Sequence, residues 1–153
     1  MVTLMTKPKL YLDNCCFNRP FDDQSQLLVR LETEAKLFIQ NGTKNGTFEL
    51  VWSYILDIEN NANPHFQRKD NIAPWKYLST VMIEESESVL LRAENYKQQG
   101  LKPKDALHVA CAVDATSDFF ITTDRGILKK RFPEIYISNP IEFLGLYKEI
   151  KNE

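Results

Sequence analysis

The chain has 153 residues, 43% of them apolar and 26% charged, with a formal net charge of −2. That length suits one domain, residues 1–153, with its own core, and the composition excludes a disordered or fibrous chain. No apolar run approaches the ~20 residues of a membrane span, the N-terminal MVTLMTKPKL lacks the apolar stretch of a secretory leader, and three cysteines, two of them adjacent, make a poor disulfide framework, so a reducing cytoplasm is expected.

Lys9 to Leu12 reads as a short buried strand that delivers Asp13 at its tip. Asp22 and Asp23 suit a helix start, where unsatisfied N–H groups and the dipole favour anions. Leu27, Leu28, Leu31, Ala35, Phe38 and Ile39 then recur at helical spacing, with Gly42 as the expected stop. Phe48 to Trp52 predicts a second strand, and Ser53 caps a helix from Tyr54 to about Ala62, closed by Pro64. Phe66 to Leu78 predicts a helix divided by Pro74, followed by a strand at Val81 to Ile83. Ser86 to Gln99 predicts a helix ended by Gly100, and Pro103 opens another that runs to about Thr116. Phe119 to Thr122 is a strand leading into Asp124, with a short helix at Gly126 to Lys130. Ile135 to Ile137 is the last strand, and Pro140 opens a terminal helix through about Ile150. Strands alternating with helices predict an α/β fold with a mainly parallel sheet of about five strands, covered on both faces. Sites in such sheets form beyond the carboxyl ends of the strands, where Asp13 and Asp124 fall.

Four segments place an acid beside a buried element: YLDN (Asp13), WSYILDIEN (Glu59), KPKDALHVACA (Asp105) and ITTD (Asp124). A lone acid such as Asp105 in a helix's first turn is equally well explained as a dipole partner. Converging carboxylates are different, because two held ~4 Å apart repel by about 4 kcal/mol at an effective dielectric of 20. Four of them call for a cation, and hard oxygen donors favour Mg²⁺ or Mn²⁺. Such an ion can activate water for hydrolysis of a phosphodiester. Setting four acids aside leaves a mildly basic remainder, and Lys129, Lys130 and Arg131 cluster, so the net charge does not exclude nucleic acid.

In order and context these segments resemble the PIN-domain family of metal-dependent nucleases, which includes VapC-type toxins. The resemblance spans about Leu10 to Phe143: a strand ending in Asp13, Ser53 followed six positions later by Glu59, a helix starting Asp105-Ala106-Leu107, and a strand running through Thr122 to Asp124. It implies a PIN-like fold with Asp13, Glu59, Asp105 and Asp124 as catalytic metal ligands for Mg²⁺ or Mn²⁺, supported by Asn14 and Thr122. It also implies a single-stranded RNA substrate and, for a toxin, a small antitoxin partner and a homodimer. The Asn14-Cys15-Cys16 run and the NRPFDDQ insertion depart from the toxin pattern. Asp57 rivals Glu59 but lies about 200° around the helix from it and does not fit the serine spacing.

The other chemistry-bearing residues have bland readings beside the functional ones. Cys15, Cys16 and His108 lack the C-x₂₋₄-C spacing of structural zinc; the cysteines read as small packed thiols and His108 as a packing histidine of its helix. Arg19 and Arg125 are candidate phosphate contacts, although Arg19 equally suits a pair with Asp22 or Asp23. Lys102 and Lys104 read as solvated surface or as backbone-positioning contacts, and Trp52 and Trp75 as core. Two further readings compete with a nuclease: an inactive PIN-like nucleic-acid or protein binding module, and a phosphatase with an aspartyl nucleophile at Asp13. The phosphatase would want a second Asp where Cys15 stands.

Overall fold

The computed structural model describes residues 7–152. Five strands, β1 (Lys9–Leu12), β2 (Glu49–Ser53), β3 (Val81–Ile83), β4 (Phe119–Ile121) and β5 (Tyr136–Ser138), form one sheet in the order β3-β2-β1-β4-β5. Every neighbouring pair is parallel, in line with the alternating pattern. The connecting helices are α1 (Asn14–Asn18), α2 (Leu27–Lys44), α3 (Tyr54–Asn61), α4 (Phe66–Ile72), α5 (Trp75–Leu78), α6 (Glu87–Gln98), α7 (Pro103–Asp114), α8 (Arg125–Leu128) and α9 (Pro140–Asn152).

Consecutive residues of β1, β2 and β4 are buried, which requires cover on both faces. On one face Tyr11 stacks on its register partner Phe120 and meets His108 of α7 edge-on. On the other, Phe119 and Phe48 both pack against Phe143 of α9, while Trp52 meets Phe17 of α1. The chain leaves β1 toward β2 and β3, then returns across the sheet to β4. The topological switch therefore lies between β1 and β4, at whose carboxyl ends Asp13 and Asp124 stand.

The helix signals hold where a cap carries them. Ser53 accepts from the Leu56 N–H, Ser86 from Val89 and Asp124 from Ile127. Gly100 adopts φ 104° just beyond α6, a conformation open to glycine and strained for other residues.

Asp13 accepts from the Asn14 N–H and starts α1 directly after β1. Two expectations in the first connection are corrected. Asp22 and Asp23 do not begin α2, whose first residue is Leu27: Asp22 pairs with Arg19 and Arg68, and Asp23 accepts from the Ser25 N–H in a turn. Gly42 does not end α2, which continues to Lys44. It is small because the Phe48 ring leaves no room: a Cβ there would sit 2.4 Å from ring carbons.

The buried face of α2 also differs from the expected leucine stripe. Glu32, Lys36 and Thr43 are buried with Val29, Ala35 and Ile39, whereas Leu27 is 60% exposed and Phe38 49%. Each buried polar group has its own reason. Glu32 pairs with Arg19 across from the helix, Thr43 donates to the Ile39 carbonyl, and Lys36 lies over Phe17 and Trp75.

Candidate active site

Asp13 follows β1 and is only 7% exposed. One carboxylate oxygen accepts from the Asn14 N–H at 2.8 Å, the other from the Thr122 hydroxyl at 2.8 Å and more weakly from the Cys15 thiol at 3.5 Å. Thr122 Oγ1 in turn accepts from the Asp124 N–H at 3.0 Å, so one hydroxyl ties the ends of β1 and β4 together. Asp124 is exposed and caps α8 through the Ile127 N–H at 3.1 Å.

Glu59 projects from α3 with both oxygens engaged. Asn14 Nδ2 donates to Oε2 at 3.2 Å, and His108 Nε2 hydrogen-bonds Oε1. Burial works to raise the Glu59 carboxyl, but the hydrogen bond and charge of His108, with help from Lys104 and Asn14, outweigh it and hold it below the usual carboxylate range. For His108, burial lowers and the Glu59 bond with the charges of Asp13, Glu59 and Asp105 raises; the net effect is upward.

His108 was expected to be a packing residue, and it is 1% exposed. Its ring nevertheless belongs to the site: Nε2 lies against Glu59 and 3.8 Å from Asp13. Nδ1 is 2.6 Å from the Tyr11 hydroxyl, which is itself 2.6 Å from Ser53 Oγ. A hydroxyl both donates and accepts, so this Ser53–Tyr11–His108–Glu59 chain closes with the ring neutral or charged. Ser53 thus serves the motif twice, capping α3 and bracing the tyrosine that orients His108. The available sequence signal was its spacing, three positions after Asp105 on one helix face.

Asp105 stands in the first turn of α7, half-buried, with no hydrogen-bond or ion-pair partner among the described residues. Burial first, then the charges of Asp13 and Asp124, push its carboxyl up, against smaller opposing effects of His108 and Lys102. Asp57 points elsewhere: it accepts from Trp52 Nε1 at 2.8 Å and pairs with Lys76 at 2.9 Å. Arg19 is committed to Asp22 and Glu32, the pairing its neighbours offered, whereas Arg125 is exposed beside Asp124.

The described residues whose ligand atoms lie mutually within 4.8 Å are Asp13, Glu59 and His108. Asp105 interacts electrostatically with Asp13 and His108, and Asp124 with Asp105, without either belonging to the trio. Two carboxylates and an imidazole so placed can hold a metal ion, and the site offers one more polar group, the buried Asn14 Oδ1, which lacks a partner among the described residues. Beside it, a cleft of about 370 Å³ is lined by Asn14, Asn18, Glu59, Asn63, His65 and Lys104 among others, with Glu59 its sole acid among the described residues.

No protein-family model and no curated protein sequence matches the chain. Its fold is similar to that of a chain in the crystal structure of FitAcB from Neisseria gonorrhoeae, with a TM-score of 0.55 at 16% identity, covering 86% of this chain and 97% of that one. A chain in the crystal structure of VapBC2 from Rickettsia felis bound to a DNA fragment from their promoter matches with a TM-score of 0.55 at 14% identity, covering 86% and 98%. These likenesses are of fold, and they agree with the PIN-like α/β arrangement that the motifs imply.

Proposed function

We propose that the chain is a PIN-like nuclease that hydrolyses phosphodiester bonds of single-stranded RNA with Mg²⁺ or Mn²⁺. The observation that carries this reading is the approach of Asp13 and Glu59, with His108, to within 4.8 Å of one another, beside a half-buried Asp105 that feels the charge of Asp13 and has no hydrogen-bond or ion-pair partner among the described residues. Asp13 and Glu59 would hold the cation, with Asp105 and Asp124 as ligands directly or through water. When bound, the cation supplies Lewis acidity and neutralises charge that develops at the phosphate. Asn14 and Thr122 fix the oxygens of Asp13, and Asn14 with His108 fixes those of Glu59. Preorganised carboxylates need no rearrangement as substrate arrives. Lys104 at the cleft and Arg125 beside Asp124 are the cations placed to position backbone phosphates.

Chains of similar fold occur in FitAcB and VapBC2, which supports a toxin role with an antitoxin partner. A partner or second copy would also cover Leu27, Leu31 and Phe38, an exposed apolar stripe along α2. Among the described residues no helix is long and apolar enough to cross a membrane. Cleavage of matched single-stranded RNA and DNA oligonucleotides in Mn²⁺ tests the substrate; preferential cleavage of the DNA would overturn the RNA assignment.

Two variants separate Glu59 from Asp57. Glu59→Gln is expected to slow cleavage at least about tenfold, or ~1.4 kcal/mol of barrier. Asp57→Asn should lower thermal stability, through Trp52 and Lys76, at near-parental rate. The reverse outcome would assign the wrong acid of α3 to the site. Tyr11→Phe is expected to slow the chemical step severalfold with little change in KM, because His108 loses its brace. A lowered Tm with an unchanged single-turnover rate would make Tyr11 a packing residue only.

A further inference from the structure

Apart from the carboxylates, a second cavity of about 340 Å³ opens between α2 and the α4–α5 segment, floored by Phe17 of α1. None of the site acids lines it. Lys36, 2% exposed, enters this cavity from α2, and its ammonium lies 5.2 Å from the Phe17 ring centroid and 5.4 Å from that of Trp75. It has no carboxylate or hydrogen-bond acceptor among the described residues. Lys44 lines the same cavity, 5.5 Å over Trp75, together with the amides of Gln40 and Asn71. Among the described residues no Asp or Glu lines it, and much of the remaining wall is apolar.

A buried ammonium without an anion is strongly disfavoured, and two aromatic faces offset only part of that. Burial pushes the Lys36 amine down to about 7, against an opposing effect of Cys16 and with a smaller one of Lys44 in the same direction. The cavity offers what an organic anion needs: two ammonium groups for the charge, the Gln40 and Asn71 amides beside them, with Asn71 Nδ2 also donating to the Gln67 carbonyl, and an apolar wall for the body. We propose that this cavity is a binding site for a small organic anion, a carboxylate or phosphate monoester on an apolar body, held by Lys36 and Lys44. The inference is independent of the nuclease reading, since no group of the carboxylate site takes part.

Calorimetric titration of the full chain at pH 6.5 with benzoate, phenyl phosphate and neutral benzyl alcohol tests it. Saturable binding of benzoate or phenyl phosphate is expected, with the tighter of the two identifying the anionic group. Binding should weaken at least tenfold in Lys36→Met and severalfold in Lys44→Met, with benzyl alcohol failing to bind. Lys36→Met removes a buried charge and so keeps the fold, which its melting curve reports. Failure of both anions to bind, equal binding of the alcohol, or undiminished binding to Lys36→Met would overturn the assignment.

Discussion

Replacing Lys36 by methionine is expected to raise the melting temperature of the ligand-free protein at pH 6 by roughly 4–8 °C, corresponding to about 2 kcal/mol at this chain length. The side chain is all but fully buried and has no anionic partner among the described residues. With its amine depressed to about 7, keeping it charged costs on the order of 4 kcal/mol. Loss of its contacts with Phe17 and Trp75 offsets part of the gain. Between pH about 7 and the unfolded lysine value of about 10.4, the folded state binds fewer protons than the unfolded chain, so this penalty fades as pH rises. The advantage of Lys36→Met should therefore be largest at pH 6 and shrink by pH 9. Cys16 and Lys44 are the titratable neighbours that act on the amine; comparing parent with variant at each pH cancels titrations that do not involve Lys36. A variant that melts lower at pH 6, or a difference independent of pH, would mean that Lys36 is buried without electrostatic penalty.

The second large effect is expected at the carboxylates. Mn²⁺ at a hundredfold excess over its dissociation constant should stabilise the parent by about 2.7 kcal/mol, roughly 5–10 °C. The metal-free protein carries the repulsion that the cation relieves: burial and the charges of Asp13 and Asp124 raise the Asp105 carboxyl. A raised folded value means that the folded state binds more protons. Metal-free stability from this group therefore rises as pH falls from neutral through the folded value toward the unfolded value of about 4. Asp105→Asn should melt higher than the parent in EDTA and gain much less from Mn²⁺. If it melts lower in EDTA and gains as much from Mn²⁺, Asp105 is an ordinary helix-start acid and not part of a shared metal site.

Much of this fold was legible because it is punctuated locally. Ser53, Ser86, Gly100, Pro103 and Pro140 mark helix ends through bonds or backbone preferences within a few residues. Apolar runs mark β1, β2 and β4 because both faces are covered. Three features were not legible, two of them because partners far along the chain decide them. The buried face of α2 includes Glu32 and Lys36 only because Arg19, Phe17 and Trp75 come to meet them, so hydropathy alone selected Leu27 and Phe38 instead. Helix α1 is too short to show periodicity, and its start depends on the Asp13 side chain turning back to Asn14. His108 shares the Asp105 face by spacing, but its contact with Glu59 exists only once α3 and α7 are brought together across the Tyr11 side of the sheet. The serine spacing favours Glu59 over Asp57, and Glu59 lies beside Asp13 and His108; that Asp57 serves Trp52 and Lys76 could not be read from the spacing.

Single-turnover cleavage of a 5′-labelled single-stranded RNA measures the central claim most directly, using the parent and Asp13→Asn in Mn²⁺ and in EDTA. Asp13 is the acid on which the site is built, since Asn14, Thr122 and the end of β1 all fix it. The account predicts cleavage by the parent in Mn²⁺, none in EDTA, and a rate for Asp13→Asn lower by at least about tenfold, ~1.4 kcal/mol of barrier. Cleavage at the full parental rate in EDTA, or by Asp13→Asn, would contradict it.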